Sequence, residues 1–135
     1  MAISGRLSLS LFLLRVSVFG VMLVWTLDKF LNPEHAARVA AKFYLLPEGL
    51  GAPVFMLLGA LQLLVILAFL AGYKKRFSYL AVLIMHAVST ASSWMMYLDP
   101  FAVPNILFFA AFPMLAACTA LYLLREEDTL VTLDR

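Results

Sequence analysis

Apolar residues dominate four stretches of this chain, residues 7–27, 52–71, 77–98 and 105–124, and polar residues gather between them. Each stretch is roughly 20 residues, the length an α-helix needs to cross a bilayer core. None alternates polar and apolar positions as a barrel strand does. The pattern predicts an all-α fold. Residues 1–135 form a single membrane domain, an integral membrane four-helix bundle. Pro53 falls in the first turn of the second helix, where a missing N–H costs little.

The long link between the first two spans is more than loop. Asn32-Pro33-Glu34 reads as a helix start, with Asn32 as cap and Pro33 at the first position. Residues 35–43 are helix-prone, and Val39, Phe43 and Leu46 share one face. Arg38 and Lys42 lie one turn apart. The pattern predicts a short amphipathic helix on the outer membrane surface, serving as connector, lid or docking surface. Residues 126–135 read as a polar tail short of structure.

Basic residues set the orientation. Arg6, Lys74, Lys75, Arg76, Arg125 and Arg135 fall on one side of four alternating helices, against Lys29, Arg38 and Lys42 on the other. The positive-inside rule then places both termini in the cytoplasm of a bacterial inner-membrane protein. Arg6 precedes an apolar run that Arg15 interrupts and that lacks a small-x-small cleavage site, so it reads as a retained helix.

Composition agrees with a membrane class. The chain is 64% hydrophobic and only 13% charged, too little polar surface for a soluble domain of this length. Net charge is +2, too small to suggest nucleic acid. The expected partners are membrane lipid and either other membrane subunits or further copies of the chain. A single cysteine, Cys118, excludes a CxxC redox relay.

Candidate chemistry begins with Arg15. A guanidinium inside a span is costly and does not shed its proton, so it needs a partner. No predicted span carries an acid that could neutralise it. Counting rise per residue puts Arg15, Gln62 and His86 each about 13–15 Å from the cytoplasmic edge. His86, Ser89, Thr90, Ser93 and Tyr97 form a polar stripe on the third helix. Arg15, Phe19, Met22, Thr26 and Lys29 align on the first, and Phe108, Phe112 and Thr119 on the fourth. The candidate ligand-binding set is therefore Arg15, Gln62, His86, Ser89, Ser93, Phe108 and Phe112. The same residues also suit plain helix packing, with Arg15 reaching toward headgroups or helix carbonyls. An outer polar cluster comprises Asp28, Lys29, Asp99 and Asn105, with Lys29 placed to pair with Asp99. Pro113 is expected to kink the last helix and free a carbonyl. Bis-histidine haem within the chain is excluded, and no metal site, phosphate loop or intramembrane carboxylate pair is present in the sequence.

The stretch Leu14-Arg15-Val16-Ser17-Val18-Phe19-Gly20, followed by Asp28-Lys29-Phe30-Leu31-Asn32-Pro33, resembles the opening of DoxX-like membrane proteins. Gly59-Ala60-Leu61-Gln62 through Leu70-Ala71-Gly72 is similar to that family's second helix, and Asn105 to the polar residue opening its last helix. The resemblance implies four helices in a bacterial cytoplasmic membrane. It also implies association with redox or maturation systems, in some relatives thiosulfate oxidation with quinone as acceptor. That family usually carries glutamate where Gln62 stands, so the acid that would neutralise Arg15 is missing here. The expected function is a non-catalytic accessory subunit of a larger redox-linked complex. The alternative is a quinone- or small-anion-binding protein using Arg15, Gln62 and His86, with quinone the candidate cofactor. A small transporter is a weaker third reading, because four helices leave little room for alternating access.

Overall fold

The computed structural model describes residues 2–134. Helices account for every regular element among these residues, and no strand occurs. They are α1 (Ile3–Leu31), α2 (Pro33–Tyr44), α3 (Ala52–Leu70), α4 (Lys75–Ser92), α5 (Trp94–Leu98) and α6 (Ala111–Leu123), with a 3-10 stretch at Asn105–Ala110 leading into α6. Arg135, used above to assign orientation, lies outside the described residues.

Three helices are long and apolar enough to cross a membrane: α1, α3, and the continuous Asn105–Leu123. The run at residues 77–98 does not meet that standard as one helix. It breaks at Ser93, whose φ of −89° and ψ of 14° leave the helical region. Local hydroxyls account for the break. Ser92 Oγ and Ser93 Oγ both donate to the Ser89 carbonyl, at 2.8 and 3.1 Å, and Tyr97 Oη donates to the Thr90 carbonyl at 2.9 Å. Side chains thus satisfy acceptors that the helix ladder would otherwise use.

Packing closes a ring: α1 lies on α3, α3 on α4, α4 on α6, and α6 on α1. The shared core is Leu11, Val18 and Met22 from α1, Ile66 and Phe69 from α3, Tyr79 and Val82 from α4, and Cys118 and Leu121 from α6. On α1 the buried positions Leu11, Arg15, Val18, Met22 and Thr26 recur at helical spacing. Arg15, Met22 and Thr26 of the expected stripe are therefore inward, while Phe19 and Lys29 are only half-buried. At the other end, Gly59 lets α3 close on α1. A Cβ there would sit 2.9 Å from the Phe30 ring and 3.2 Å from Lys29 Cβ.

The expected short helix exists as α2, with Pro33 as its first residue; Asn32 makes no side-chain cap. Its inner face differs from the expected one. Ala36 and Ala40 are buried against Phe55, because small residues allow close approach. Phe43 meets Phe108 at 5.8 Å, and Leu45 and Leu46 are exposed. Pro113 does not merely kink a continuous α-helix. It removes the N–H that the Phe109 carbonyl would accept, and the chain before α6 runs as a 3-10 helix instead.

The residues after α6 differ most from expectation. They are not loose: they turn back beneath the helix ends. Ser8 Oγ donates to the Glu127 carbonyl at 3.0 Å, and the Leu133 and Asp134 N–H groups donate to the Ala71 and Gly72 carbonyls at 2.8 and 3.0 Å.

Candidate functional site

The returning tail answers the charge on Arg15. Asp128, one turn beyond α6, is fully buried, as is Arg15. Arg15 Nε lies 3.6 Å from Asp128 Oδ2. Tyr79, on α4, joins the two. Its hydroxyl donates to Asp128 Oδ2 at 2.6 Å and accepts from Arg15 Nη1 at 3.3 Å. Arg15 Nη2 donates to the Leu130 carbonyl and to the Val131 carbonyl, the latter at 3.1 Å. Lys75 Nζ, also buried, donates to the Asp128 carbonyl at 2.9 Å. The Phe12 ring flanks the guanidinium, 5.5 Å from its carbon. Two atoms, Arg15 Nε and Asp128 Oδ1, lack a hydrogen-bond partner, so the pair is held by charge and by its neighbours rather than by a bidentate fork.

The backbone is shaped around this contact. Val131 has φ of +49°, a region a β-branched residue enters only when its surroundings require it. That turn aims successive carbonyls at one guanidinium nitrogen. Gly72 has φ of +59°, and a Cβ on it would meet Thr132 Cγ2 at 2.5 Å and Arg15 Nη1 at 2.7 Å. Only glycine lets the turn between α3 and α4 approach the tail so closely. Asp134 Oδ2 accepts from the Lys75 N–H at 3.1 Å, capping α4 from the tail.

The expected single level of Arg15, Gln62 and His86 does not form. α1 starts at Ile3 and runs 29 residues, about 43 Å. The Arg15 side chain leans toward its N-terminal end, where Tyr79 and the tail meet it. His86 lies seven residues beyond Tyr79 on α4, about 10 Å further along. It stacks on Trp25, with ring centroids 5.9 Å apart at 22°. His86 Nε2 is 2.9 Å from the Ala111 carbonyl, which only accepts, so Nε2 carries the proton. Nδ1 is then an acceptor, buried and without a partner. Gln62 is half-buried, and no side-chain hydrogen bond among the described residues joins it to Arg15 or His86.

The remaining candidates separate. Ser89 is half-buried, Ser93 buried, and both are engaged in the break after α4. Phe112 packs on Tyr97 at 4.8 Å, whereas Phe108 faces Phe43 of α2, so they do not wall one pocket. In the outer cluster, the Lys29–Asp99 pair is absent among the described residues. Asp28 Oδ2 instead meets His35 Nδ1 at 2.6 Å, Lys29 Nζ donates to the Trp25 carbonyl at 3.3 Å, and Asn105 Nδ2 donates to the Asp99 carbonyl at 2.9 Å. Lys29 reaches back along its own helix, and the α2 turn brings His35 nearer to Asp28 than any distant base.

Asp128, Tyr79, Lys75, Trp25 and His35 were not among the expected site residues. A signal for Asp128 exists: the acids Glu126, Glu127 and Asp128 follow the last helix, on the side where α1 begins. No protein-family model, curated protein or solved structure matches this chain.

Proposed function

We propose that this chain is a DoxX-like multi-pass protein of the bacterial cytoplasmic membrane that crosses the bilayer four times. In this reading it serves as a non-catalytic accessory subunit of a larger redox-linked complex. The observation that carries the non-catalytic part is the closure of Arg15. An arginine that binds substrate must open toward it, whereas this one is wholly enclosed by Asp128, Tyr79 and two tail carbonyls. Its charge is spent on fastening the tail to the helix ends.

The outer surface supports a membrane setting. Leu13, Leu57, Leu64, Ile84 and Val88 stand exposed on α1, α3 and α4, more apolar surface than a soluble monomer carries. The polar face of α4 turns inward, which suits a fourth crossing held within the ring. Ser8 meets the tail beside the turn bearing Lys74 and Arg76, which supports placing both ends on the positive, cytoplasmic side. The redox association rests on the family resemblance. Purification from native membranes in mild detergent, followed by native mass spectrometry, tests the accessory role. Other membrane subunits at fixed stoichiometry are expected; a solitary monomer overturns it.

A second reading, quinone binding, is favoured by one observation: the buried, unpartnered Nδ1 of His86 beside the Trp25 ring. A quinone carbonyl does not accept from that lone pair, but a quinol hydroxyl donates to it once the stacked Trp25 ring, itself 41% exposed, moves aside. Quenching of Trp25 fluorescence by a short-chain quinol, lost in His86→Leu, is the expected result. Equal quenching in both proteins overturns it.

A further inference from the structure

The tail does more than neutralise Arg15: it builds one wall of a groove of about 470 Å³ at the end of the molecule. The opposite wall is the basic turn Lys74-Lys75-Arg76 with the first residues of α4. The charges lining this groove are unequally committed. Lys75 is held by the Asp128 carbonyl, Asp134 caps the Lys75 N–H, and Glu126 pairs with Arg125 at 3.4 Å. Lys74 and Arg76 are exposed and have no acidic partner among the described residues; Lys74 Nζ rests only on the Tyr73 ring, at 5.8 Å. The groove therefore offers two cations with no acidic partner, beside one acid that faces Arg125 and one that accepts from the Lys75 N–H.

Its apolar lining completes the chemistry. Phe77 and Leu133 line the same groove and are 69% and 71% exposed. Neither would stay so bare beside water if a lipid were available to cover it. Two free cations beside two bare apolar side chains in one groove match one amphiphile, a phosphate head carrying acyl chains. We propose that this groove binds the headgroup of an anionic phospholipid, its phosphate held between Lys74 and Arg76. Phe77 and Leu133 contact the glycerol and upper acyl region. The inference rests on the membrane reading above, and the tail latch is what keeps the second wall in place.

The test uses the full chain, first washed in membranes at alkaline pH and then purified into phosphatidylcholine nanodiscs. Lys74 has φ of +49°, so asparagine, which tolerates that region, is the neutral replacement. Retention of phosphatidylglycerol and of phosphatidylcholine is compared by native mass spectrometry for the native chain, Lys74→Asn/Arg76→Gln and Arg38→Gln/Lys42→Gln, with inorganic phosphate as competitor. Each basic residue near an anionic surface contributes about fivefold in affinity, so the first variant should lose roughly 25-fold for phosphatidylglycerol. The α2 variant and inorganic phosphate should change little. Equal retention of the two lipids, equal loss in both variants, or full competition by inorganic phosphate each overturns the lipid site and leaves the membrane reading standing. Release of the chain by the alkaline wash overturns both. Asp128→Asn supplies an independent check: with the latch weakened, selectivity for phosphatidylglycerol should fall although Lys74 and Arg76 remain, and unchanged selectivity would show that the tail wall plays no part.

Discussion

Arg15 on the first helix and Asp128 beyond the last form a fully buried ion pair, with Nε and Oδ2 3.6 Å apart and the Tyr79 hydroxyl bridging them. The contact joins α1, α4 and the tail at one point. It is the only salt bridge among the described residues in which both side chains are wholly excluded from solvent. Taking both charges from water is costly, so the pair is not a large net source of stability. Its consequence is specificity: the tail returns to the place where Asp128 and two carbonyls answer Arg15.

Breaking the pair on one side should therefore cost far more than removing it. Asp128→Leu leaves a buried guanidinium unpaired and should destabilise by about 3–5 kcal/mol. Arg15→Leu alone should cost a similar amount by stranding the carboxylate. The double variant Arg15→Leu/Asp128→Leu should recover most of that loss. Thermal unfolding of the four proteins in one detergent completes the cycle, and additive losses would sink the argument.

Much of this frame is legible in the sequence, but its closure is not. The apolar runs give α1 and α3 to within four residues and the last span as the 3-10 stretch and α6 together, and Pro33 marks the start of α2. Local hydroxyl competition at Ser92 and Ser93 breaks the third run, an effect that hydropathy averaging hides. Arg15 is legible as a problem, since an inward stripe containing arginine demands a partner. Asp128 is harder to single out, because nothing local distinguishes it from Glu126 and Glu127. Only the path of the tail does so, through pairing of Leu133 and Asp134 with the Ala71 and Gly72 carbonyls. Rise-per-residue counting takes no account of the guanidinium's own reach toward the helix start, where Tyr79 and the tail meet it.

Gly72 should be intolerant of any side chain. Its φ is +59°, and an alanine Cβ would lie 2.5 Å from Thr132 Cγ2 and 2.6 Å from Thr132 Cβ. The left-handed conformation alone costs about 1–2 kcal/mol for a non-glycine residue, and the clash adds to it. Gly72→Ala should lower the melting temperature and speed proteolytic cleavage of the tail. Gly20→Ala is the control, since a Cβ there meets nothing within 4 Å and the site is helical. It should stabilise by about 0.5–1 kcal/mol.

Val131 offers the opposite opportunity. The side chain is 77% exposed, so it contributes little packing, yet its backbone sits at φ of +49°. Val131→Gly relieves about 1–2 kcal/mol of conformational cost and gives back about 0.4–1 kcal/mol through a freer unfolded chain. The carbonyl that accepts from Arg15 is retained. A rise in stability of about 0.5–1 kcal/mol is expected in thermal unfolding, and a fall would mean that Val131 packs against something outside this chain.

Distance alone ranks the two acid–base contacts of α1 wrongly. Asp28 and His35 approach to 2.6 Å, a full ångström closer than Arg15 and Asp128. Their side chains are 31% and 48% exposed, however, and water competes for both. An exposed pair contributes about 0–1 kcal/mol and is screened by salt, while a buried pair is screened much less. Asp28→Asn should thus shift stability by less than about 1 kcal/mol, and the shift should shrink further in roughly 0.5 M salt, where the screening length falls below about 5 Å. The loss caused by Asp128→Leu should persist at the same salt. Melting curves of both variants at low and high ionic strength decide the matter: a salt-sensitive loss at Asp128 would mean that water reaches the Arg15 contact and that the tail does not seal it.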